Sequence, residues 1–186
     1  MKDYRGFLDE IIVSEDDLQK RIAEIGSEIS QDYSGKDLHL VCILRGGILF
    51  LSDLVRHISI PVTIDFMAVS SYGKANRTTT GQVRISYDLK DDISNRNVML
   101  VEDIVDSGYT IRSVLELLET RHPKTLKVCT LLDKPERREV EVPIDYCGFT
   151  IPNKFVFGYG LDIDEYFRNL PFIASVDLSR YQIEEN

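Results

Sequence analysis

The stretch VMLVEDIVDSGYT, residues 98–110, joins an apolar run to an unusually acidic turn. Four apolar residues precede two adjacent acids, Glu102 and Asp103, and a third acid, Asp106, follows three residues later. Carboxylates this close repel one another and are costly to desolvate, so a plain surface turn has no need of them. A serine, a glycine and a segment with helical periodicity come next. The stretch therefore predicts a buried strand, a ligand-binding turn and a helix, in that order.

The sequence on either side of this stretch alternates predicted strands with predicted helices. Apolar runs predict strands at DLHLVCIL (37–44), PVTIDFMAV (61–69), NVMLVED (97–103), KTLKVCTLLDK (124–134), KFVFGYGL (154–161) and FIASVDL (172–178). Amphipathic spacing predicts helices at SEDDLQKRIAEIGSEIS (14–30), ILFLSDLVRHI (48–58) and from Ile111 to Leu118. Strand–helix–strand units of this kind indicate an α/β fold, with a parallel sheet and helices on both faces.

Composition limits the classes of protein to consider. A chain of 186 residues with a hydrophobic content of 43% fits one domain with a sizeable core. Its formal charge of -9 argues against nucleic acid or an anionic membrane as partner. Three cysteines without a C-x-x-C pair argue against a disulfide framework or a zinc site. We expect a cytoplasmic protein, since no signal region or membrane span is evident.

Unusual polar residues stand where three of the predicted strands end. LRGG (44–47) follows the first strand, EDIVDSGYT (102–110) follows the third, and LDK (132–134) closes the fourth. Parallel strands bring their carboxyl ends to one edge of a sheet, where ligands of such sheets bind. We therefore expect these segments to form one site.

The segment Ser107–Thr110 joins the third strand to its helix. Backbone N–H groups are unpaired at a helix start, where the dipole is positive, and both features suit a phosphate. Gly108 lets the backbone approach a ligand, and the flanking hydroxyls can donate hydrogen bonds. The lysine of a Walker A loop is missing, so ATP hydrolysis is not implied. The alternative is an N-capped helix after a polar turn, which explains Thr110 but not the three acids.

Residues 98–110 resemble the phosphoribosyl pyrophosphate signature of type I phosphoribosyltransferases: four apolar residues, two acids, two apolar residues, a variable residue, Ser/Thr-Gly, a variable residue and Ser/Thr. The first variable position is occupied by Asp106, and an aspartate there resembles the 6-oxopurine branch of the family, the hypoxanthine-guanine phosphoribosyltransferases. The resemblance continues through LRGG, SSYG, LLDKPERR and IPNKFVFGYGLDIDEYFRNLP. It implies a single domain, residues 1–186, with a parallel-sheet core and a small hood from about 1–12 and 144–186.

This resemblance implies distinct roles for the three acids. Glu102 and Asp103 would hold the ribose 2- and 3-hydroxyls, directly or through Mg²⁺, because carboxylates are natural acceptors for a vicinal diol. Asp106 would be the catalytic residue. It would face N7 of the purine and accept or stabilise the proton that N7 loses as N9 attacks the sugar.

Other loops would complete the sugar-phosphate site. The bond between the family residues that match Leu44 and Arg45 can be a cis peptide, and SSYGKANRTTTG (70–81) resembles a mobile catalytic loop. Judged without the resemblance, LRGG could be a glycine-rich helix start and the second segment a surface linker. The residues implied to bind phosphoribosyl pyrophosphate are Arg45, Gly46, Ser71, Tyr72, Glu102, Asp103, Asp106, Ser107, Gly108, Tyr109, Thr110 and Arg168.

A separate group of residues would recognise the purine. Lys134 would donate to O6 and so select 6-oxopurines over adenine, although a lone lysine after a strand is usually a solvated charge. Phe155 would stack on the base, and Asp162 would bind a second Mg²⁺ through water. The implied purine-binding residues are Ile104, Lys134, Phe155, Val156 and Asp162, and the implied metal ligands are Glu102, Asp103 and Asp162.

The implied reaction belongs to purine salvage. It transfers 5-phosphoribosyl from phosphoribosyl pyrophosphate to N9 of hypoxanthine or guanine, with Mg²⁺, and gives IMP or GMP and pyrophosphate. Family members assemble as dimers or tetramers, so we expect a homodimer or homotetramer. One alternative is an RNA-binding, nucleotide-sensing regulator of the same fold, which the charge of -9 disfavours. A second is an enzyme for another base, and xanthine stays open as a minor substrate.

Overall fold

The structure, a computed structural model, describes residues 3–71 and 83–181. Tyr72 and the other residues up to 81 of the expected catalytic loop lie outside this range, as do the side chains of Ser70 and Ser71. The helices are α1 (Glu15–Asp32), α2 (Ile48–His57) and α3 (Tyr109–Glu119). The strands are β1 (Leu8–Val13), β2 (Leu38–Leu44), β3 (Val62–Ser71), β4 (Val83–Tyr87), β5 (Asn97–Val105), β6 (Thr125–Asp133), β7 (Tyr146–Thr150), β8 (Val156–Phe157) and β9 (Ile173–Val176).

Six strands form the main sheet, in the order β4-β3-β2-β5-β6-β7. All neighbours pair in parallel except β3 and β4, which are antiparallel. The chain runs from β2 outward to β3 in one direction, and from β5 outward to β6 in the other. The strand order therefore reverses between β2 and β5, and parallel sheets bind their ligands at such a point.

Helices cover both faces of this sheet, as the sequence predicts. Alternate residues of a strand point to opposite faces. Leu40 and Cys42 of β2 thus pack with α1 and α2, whereas Val41 and Ile43 pack with α3. Burial of apolar side chains on both faces stabilises the sheet and fixes the edge from which the site loops leave.

Helix α1 begins where its capping residue predicts. The Ser14 side chain accepts a hydrogen bond from the backbone N–H of Asp17 and donates one to its carboxylate. The four apolar residues of its predicted inner face are all fully buried: Leu18, Ile22, Ile25 and Ile29. Within the described ranges, no helix is both long and apolar enough to cross a membrane.

A second, three-stranded sheet has the order β1-β9-β8 and is antiparallel. Sequence periodicity did not predict β1, and the strand predicted at 154–161 was too long, because only Val156 and Phe157 are extended. A turn with positive φ at Gly158, Tyr159 and Gly160 ends that strand. Strand β7 was also not predicted. It lies in the main sheet, so the expected hood boundary at residue 144 falls before a core strand.

The hood sheet has its own small core of aromatic residues. Phe7 lies 5.6 Å from Phe157 and 5.7 Å from Phe167, measured between ring centroids, and Tyr4 lies at a similar distance from Phe167. These edge-on and tilted contacts join the N-terminal segment to the C-terminal one. The hood is therefore built from both ends of the chain and sits over the site edge of the main sheet.

Candidate active site

Within the part of the chain that the structure describes, four loops leave the main sheet at the carboxyl ends of its parallel strands. They are residues 45–47 after β2, 106–108 after β5, 134–140 after β6 and 151–155 after β7. The predicted motifs LRGG, EDIVDSGYT and LDK lie in these loops, in the strand ends before them and in the first turn of α3. The common edge expected from the sequence is confirmed by the strand directions.

The loop after β2 lies against the acidic end of β5. The Leu44–Arg45 peptide bond is cis, as the resemblance implied. A Cβ atom on Gly46 would lie 1.6 Å from Oδ2 of Asp103, so only glycine leaves room for that carboxylate. A Cβ on Gly160 of the hood would in turn lie 2.2 Å from the carbonyl oxygen of Gly46. Core loop, acid and hood are thus in direct contact.

Glu102 and Asp103 are held in an environment that opposes their negative charge. Glu102 is buried, and its Oε2 atom has no hydrogen-bond partner among the described residues. Burial, reinforced by Asp103, raises the pKa of Glu102 well above its ordinary value. Burial also raises the pKa of Asp103 from 3.8 to about 6. Two desolvated carboxyls with an unsatisfied oxygen fit a site that takes up a cation or hydroxyl donors.

We expect Asp103→Asn to stabilise the metal-free protein at pH 7. Because the folded-state pKa is raised, the folded protein binds more protons than the unfolded chain, and its stability falls as the pH rises from about 4 to about 6. Removing this carboxyl should restore at most about 3 kcal/mol, or several degrees in melting temperature. Thermal unfolding in a chelator at pH 4 and pH 7 measures the effect.

Asp92→Asn is the matched control for this prediction. Asp92 is exposed, and its carboxylate accepts a hydrogen bond from the backbone N–H of Ser94, much as Asp103 accepts one from Ile104. The control should show no gain at pH 7. An Asp103→Asn protein that melts like the wild type at both pH values would contradict the burial argument.

A chain of ion pairs extends from the core loop into the hood. Arg168 lies 2.7 Å from Asp162 and donates a hydrogen bond to the carbonyl of Gly160. Arg45 pairs with Glu165 at 2.9 Å, and both of these side chains are exposed. The predicted residues Arg45, Asp162 and Arg168 therefore lie in one charged network, from which Arg168 acts electrostatically on Asp103.

The predicted phosphate cradle lies between β5 and α3. Gly108 has a φ of 92°, in the left-handed region, and a Cβ there would lie 2.6 Å from the carbonyl oxygen of Val140. Both facts require glycine at this position. Tyr109 and Thr110 form the first turn of α3, so their backbone N–H groups have no partner within the helix. The cradle is thus a helix N-terminus with a tightly packed glycine before it.

Asp106 and Lys134 lie beside this cradle. The carboxylate of Asp106 accepts a hydrogen bond from Nε of Arg137 at 3.2 Å, and both side chains are about half exposed. Lys134 is buried, with 6% of its surface exposed, and no described residue accepts a hydrogen bond from its ammonium group. Burial lowers the pKa of Lys134, and the nearby Asp106 partly opposes this. The two groups predicted to contact a purine are therefore electrostatic neighbours.

Phe155 and Val156 lie between β7 and the turn that begins at Gly158, whereas Ile104 lies near the end of β5. Phe155 is 51% exposed, as an aromatic ring free to stack on a ligand must be. Val156 is buried and pairs with Ser175 of β9, and Ile104 packs at the border of the main core. The hood turn that follows contains four non-glycine residues with positive φ: Tyr159, Asp164, Glu165 and Phe167. Such backbone conformations concentrate at functional sites.

Two arginines of this edge received no role from the sequence. Arg137 holds Asp106, and Arg138 pairs with Asp133 at the end of β6. The sequence signal that could have identified them is the pair of adjacent arginines three and four residues after Lys134, in a segment that is otherwise typical of a polar turn. The described residues contain no cluster of three potential metal ligands. Asp162, a predicted ligand, is held by Arg168.

Comparison with known proteins agrees with this geometry. A family model described as a phosphoribosyl transferase domain matches residues 12–164. The hypoxanthine-guanine phosphoribosyltransferase of Mycobacterium avium is 47% identical over 185 residues, which cover 96% of this chain and 91% of that protein. The hypoxanthine phosphoribosyltransferase of Escherichia coli (strain K12) is 47% identical over 171 residues, which cover 91% of this chain and 96% of that protein.

The fold agrees with solved structures as well. A crystal structure of a hypoxanthine phosphoribosyltransferase from Staphylococcus aureus, in a tetragonal space group, superposes with a TM-score of 0.90 at 43% identity and covers 95% of both chains. Both the sequence and the structural matches extend over the core and the hood. The chain therefore belongs to the phosphoribosyl transferase family, in its hypoxanthine-guanine phosphoribosyltransferase branch.

Proposed function

We propose that this protein transfers the 5-phosphoribosyl group of phosphoribosyl pyrophosphate to N9 of hypoxanthine or guanine, and so forms IMP or GMP and pyrophosphate in purine salvage. The observation that carries the proposal is the position of Lys134 and Asp106. A buried lysine, whose ammonium group has no acceptor among the described residues, and a half-exposed carboxylate lie together beside a helix N-terminus suited to phosphate. Base recognition and sugar-phosphate binding would thus meet at one edge of the sheet.

The purine would be recognised by complementary hydrogen bonds. Lys134 would donate to O6 of a 6-oxopurine, which supplies the acceptor that its ammonium group lacks among the described residues. Asp106 would accept the proton of N7 with its carboxylate as N9 attacks the sugar. Phe155 would stack on the base, and the backbone of Val156 and Asp162 would face its edge. Adenine would place a donor opposite Lys134 and leave that group unsatisfied.

The sugar phosphate would be held by the loops that follow β2 and β5. The backbone N–H groups of residues 107–110 would bind the 5-phosphate, and those of Arg45 and Gly46 the pyrophosphate. Ser71, Tyr72 and Arg168 are proposed further contacts. Glu102 and Asp103 would accept hydrogen bonds from the ribose hydroxyls. Fixed N–H donors that stabilise the departing pyrophosphate act most strongly on the charge that develops in the transition state.

Members of this family generally use a divalent metal ion, and we propose Mg²⁺ here. The residues fit this ion, because Mg²⁺ is usually bound by one or two carboxylates together with substrate phosphates rather than by a cage of protein ligands. Glu102 and Asp103 supply two such carboxylates, with Asp162 as a further ligand. When bound, the ion would neutralise charge on the pyrophosphate.

The proposed reaction is tested by nucleotide formation from hypoxanthine, guanine, xanthine and adenine, compared side by side at saturating phosphoribosyl pyrophosphate and Mg²⁺. We expect hypoxanthine and guanine to be converted and adenine to be used at least about a hundredfold less efficiently. Equal use of adenine and hypoxanthine would overturn the assignment of the base. Failure with all four bases would overturn the proposed activity itself.

The proposed ligands of the sugar and the metal predict a change in ligand-induced stability. Mg²⁺ and phosphoribosyl pyrophosphate together, at about 100 times the dissociation constant, should raise wild-type stability by about 2.7 kcal/mol. The Glu102→Gln, Asp103→Asn double variant should show little of this rise in melting temperature, because neither amide can replace a carboxylate at the cation. A rise equal to that of the wild type would remove the proposed role from both acids.

We also propose that the protein acts in the cytoplasm as a homodimer or homotetramer. The cytoplasmic proposal is supported by the cysteines, which are free thiols with two of them buried in the core. Burial raises the pKa of Cys42 and Cys129, which keeps both thiols protonated and unreactive. The oligomeric proposal rests on the family resemblance, and sedimentation velocity would measure the assembly directly.

A further inference from the structure

We infer that Arg137 is a positioning residue for Asp106: its guanidinium holds one carboxylate oxygen so that the other is presented to N7 of the purine. This inference rests on the proposed function and goes beyond it. The starting observation is the hydrogen bond from Nε of Arg137 to Oδ1 of Asp106, 3.2 Å long. Oδ2 of Asp106 receives no hydrogen bond from any described residue, so this oxygen is available to a ligand.

The ion pair does little for the fold. The side chains of Arg137 and Asp106 are 49% and 46% exposed. An exposed pair of this kind contributes only about 0.2–1 kcal/mol to stability. The two residues are 31 positions apart and come from loops after different strands. A weak, exposed contact between two active-site loops has little structural purpose, whereas fixing the direction of a carboxylate is of direct use to a proton acceptor.

The backbone that carries Arg137 is fixed on its N-terminal side. The N–H of Lys134 donates to the carbonyl of Val105, at the end of the strand that leads to Asp106. Residues 135–137 then form a short 3-10 turn, in which the N–H of Arg137 donates to the carbonyl of Lys134 at 3.0 Å. Arg137 therefore starts from a backbone that is already tied to β5.

The same backbone is fixed on its C-terminal side to the phosphate cradle. The N–H groups of Glu139 and Val140 both donate to the carbonyl of Ser107, at 3.0 and 3.2 Å. Gly108 packs directly on Val140, and Arg138 is anchored by its ion pair with Asp133. Tethers on both sides limit the positions that the Arg137 guanidinium can reach. The turn thus connects Lys134, Asp106 and the phosphate cradle.

The contact between Arg137 and Asp106 is a single hydrogen bond and not a bidentate ion pair. Arg137 contacts Asp106 through Nε alone. A bidentate pair would occupy both oxygens and compete with the purine, whereas this contact occupies one. Since the contact needs a positive charge and a single donor rather than the planar fork of arginine, lysine should replace much of its effect.

The test is a double-mutant cycle of Arg137→Gln and Asp106→Asn, with kcat, KM for hypoxanthine and melting temperature measured for each protein. We expect Arg137→Gln to lower kcat by about 10–100-fold, the scale of misplacing a reacting group by up to about 1 Å. KM should change by less than about twofold, since binding contacts are untouched. The same substitution in the Asp106→Asn background should have no further effect, because no base remains to be positioned.

Two further variants complete the design. Arg137→Lys should recover most of the lost kcat. Arg121→Gln removes another arginine–aspartate pair, in which Arg121 is partly buried and Asp88 is exposed, beyond the far end of α3, and should leave kcat unchanged. Wild-type kcat in Arg137→Gln, a change confined to KM, or equal losses with and without Asp106 would each overturn the inference. If Asp106→Asn itself keeps wild-type kcat, the proposed base fails instead, so the two failures are distinguishable.

Discussion

Asp106→Asn is expected to lower turnover by about 10²–10⁴-fold and to leave the fold intact. The amide keeps the size and hydrogen-bonding shape of the carboxylate but loses its charge and its proton affinity. The loss should appear mainly in kcat, because the interaction with N7 matters most as charge develops on the purine. Nucleotide binding should persist, since the cradle at residues 107–110 is unchanged. Steady-state kinetics and thermal unfolding on one preparation measure both quantities.

The structure limits how much stability this variant can lose. Asp106 is about half exposed, and its ion pair with Arg137 contributes at most about 1 kcal/mol. Glu116→Gln is a suitable control, because Glu116 is an exposed carboxylate that also accepts a hydrogen bond from an arginine Nε, that of Arg112. It should keep both melting temperature and kcat. A well-folded Asp106→Asn protein with wild-type kcat would show that Asp106 only caps the turn.

The main sheet was predictable because burial on both faces leaves a simple trace in the sequence. In β2 and β5 the first six residues are all buried and most of them are apolar, as expected of strands that helices cover on both faces. The ends of these runs located LRGG and EDIVDSGYT, and parallel pairing placed both at one edge. From the residues alone, this identified the edge and the acids, whereas the roles of Lys134 and Phe155 came from the family resemblance.

The hood was less predictable, because tertiary contacts form it. Only one of the six residues of β1 is buried, and its sequence LDEIIV lacks the alternation of apolar and polar residues that is typical of a strand. Pairing with β9 makes this segment a strand. KFVFGYGL is apolar enough for a longer strand, but Gly158 turns the chain where the carbonyl of Phe172 leaves no room for a side chain. Local propensity cannot report a neighbour that is distant in sequence.

The partner of Asp106 was hidden for a similar reason. Arg137 lies 31 residues further along the chain in a polar turn, and both residues are charged and exposed. Neither hydrophobic periodicity nor capping patterns carry information about such a pair. The sequence thus located a carboxylate at the site, while the structure supplied the arginine that contacts it.

Lys134→Met is expected to remove most of the preference for a 6-oxopurine. A mismatched polar pair in a desolvated site costs about 2–5 kcal/mol, so the wild-type ratio of kcat/KM for hypoxanthine over adenine should exceed roughly a hundredfold. Methionine fills a similar volume without a donor. Hypoxanthine should lose about two orders of magnitude in kcat/KM, while adenine, which never had this hydrogen bond, should change little.

The same substitution should raise the stability of the ligand-free protein, and this opposite sign makes the prediction specific. Lys134 is buried, and no described residue accepts a hydrogen bond from its ammonium group, so the folded protein bears a desolvation cost that methionine removes. Lys127→Met is the matched control: Lys127 lies on the same strand but is half exposed and paired with Asp145 at 2.6 Å. It should change neither selectivity nor turnover. A Lys134→Met protein that melts at a higher temperature but still discriminates against adenine a hundredfold would show that another group recognises position 6 of the base. A higher melting temperature together with a loss of discrimination would place that function on Lys134.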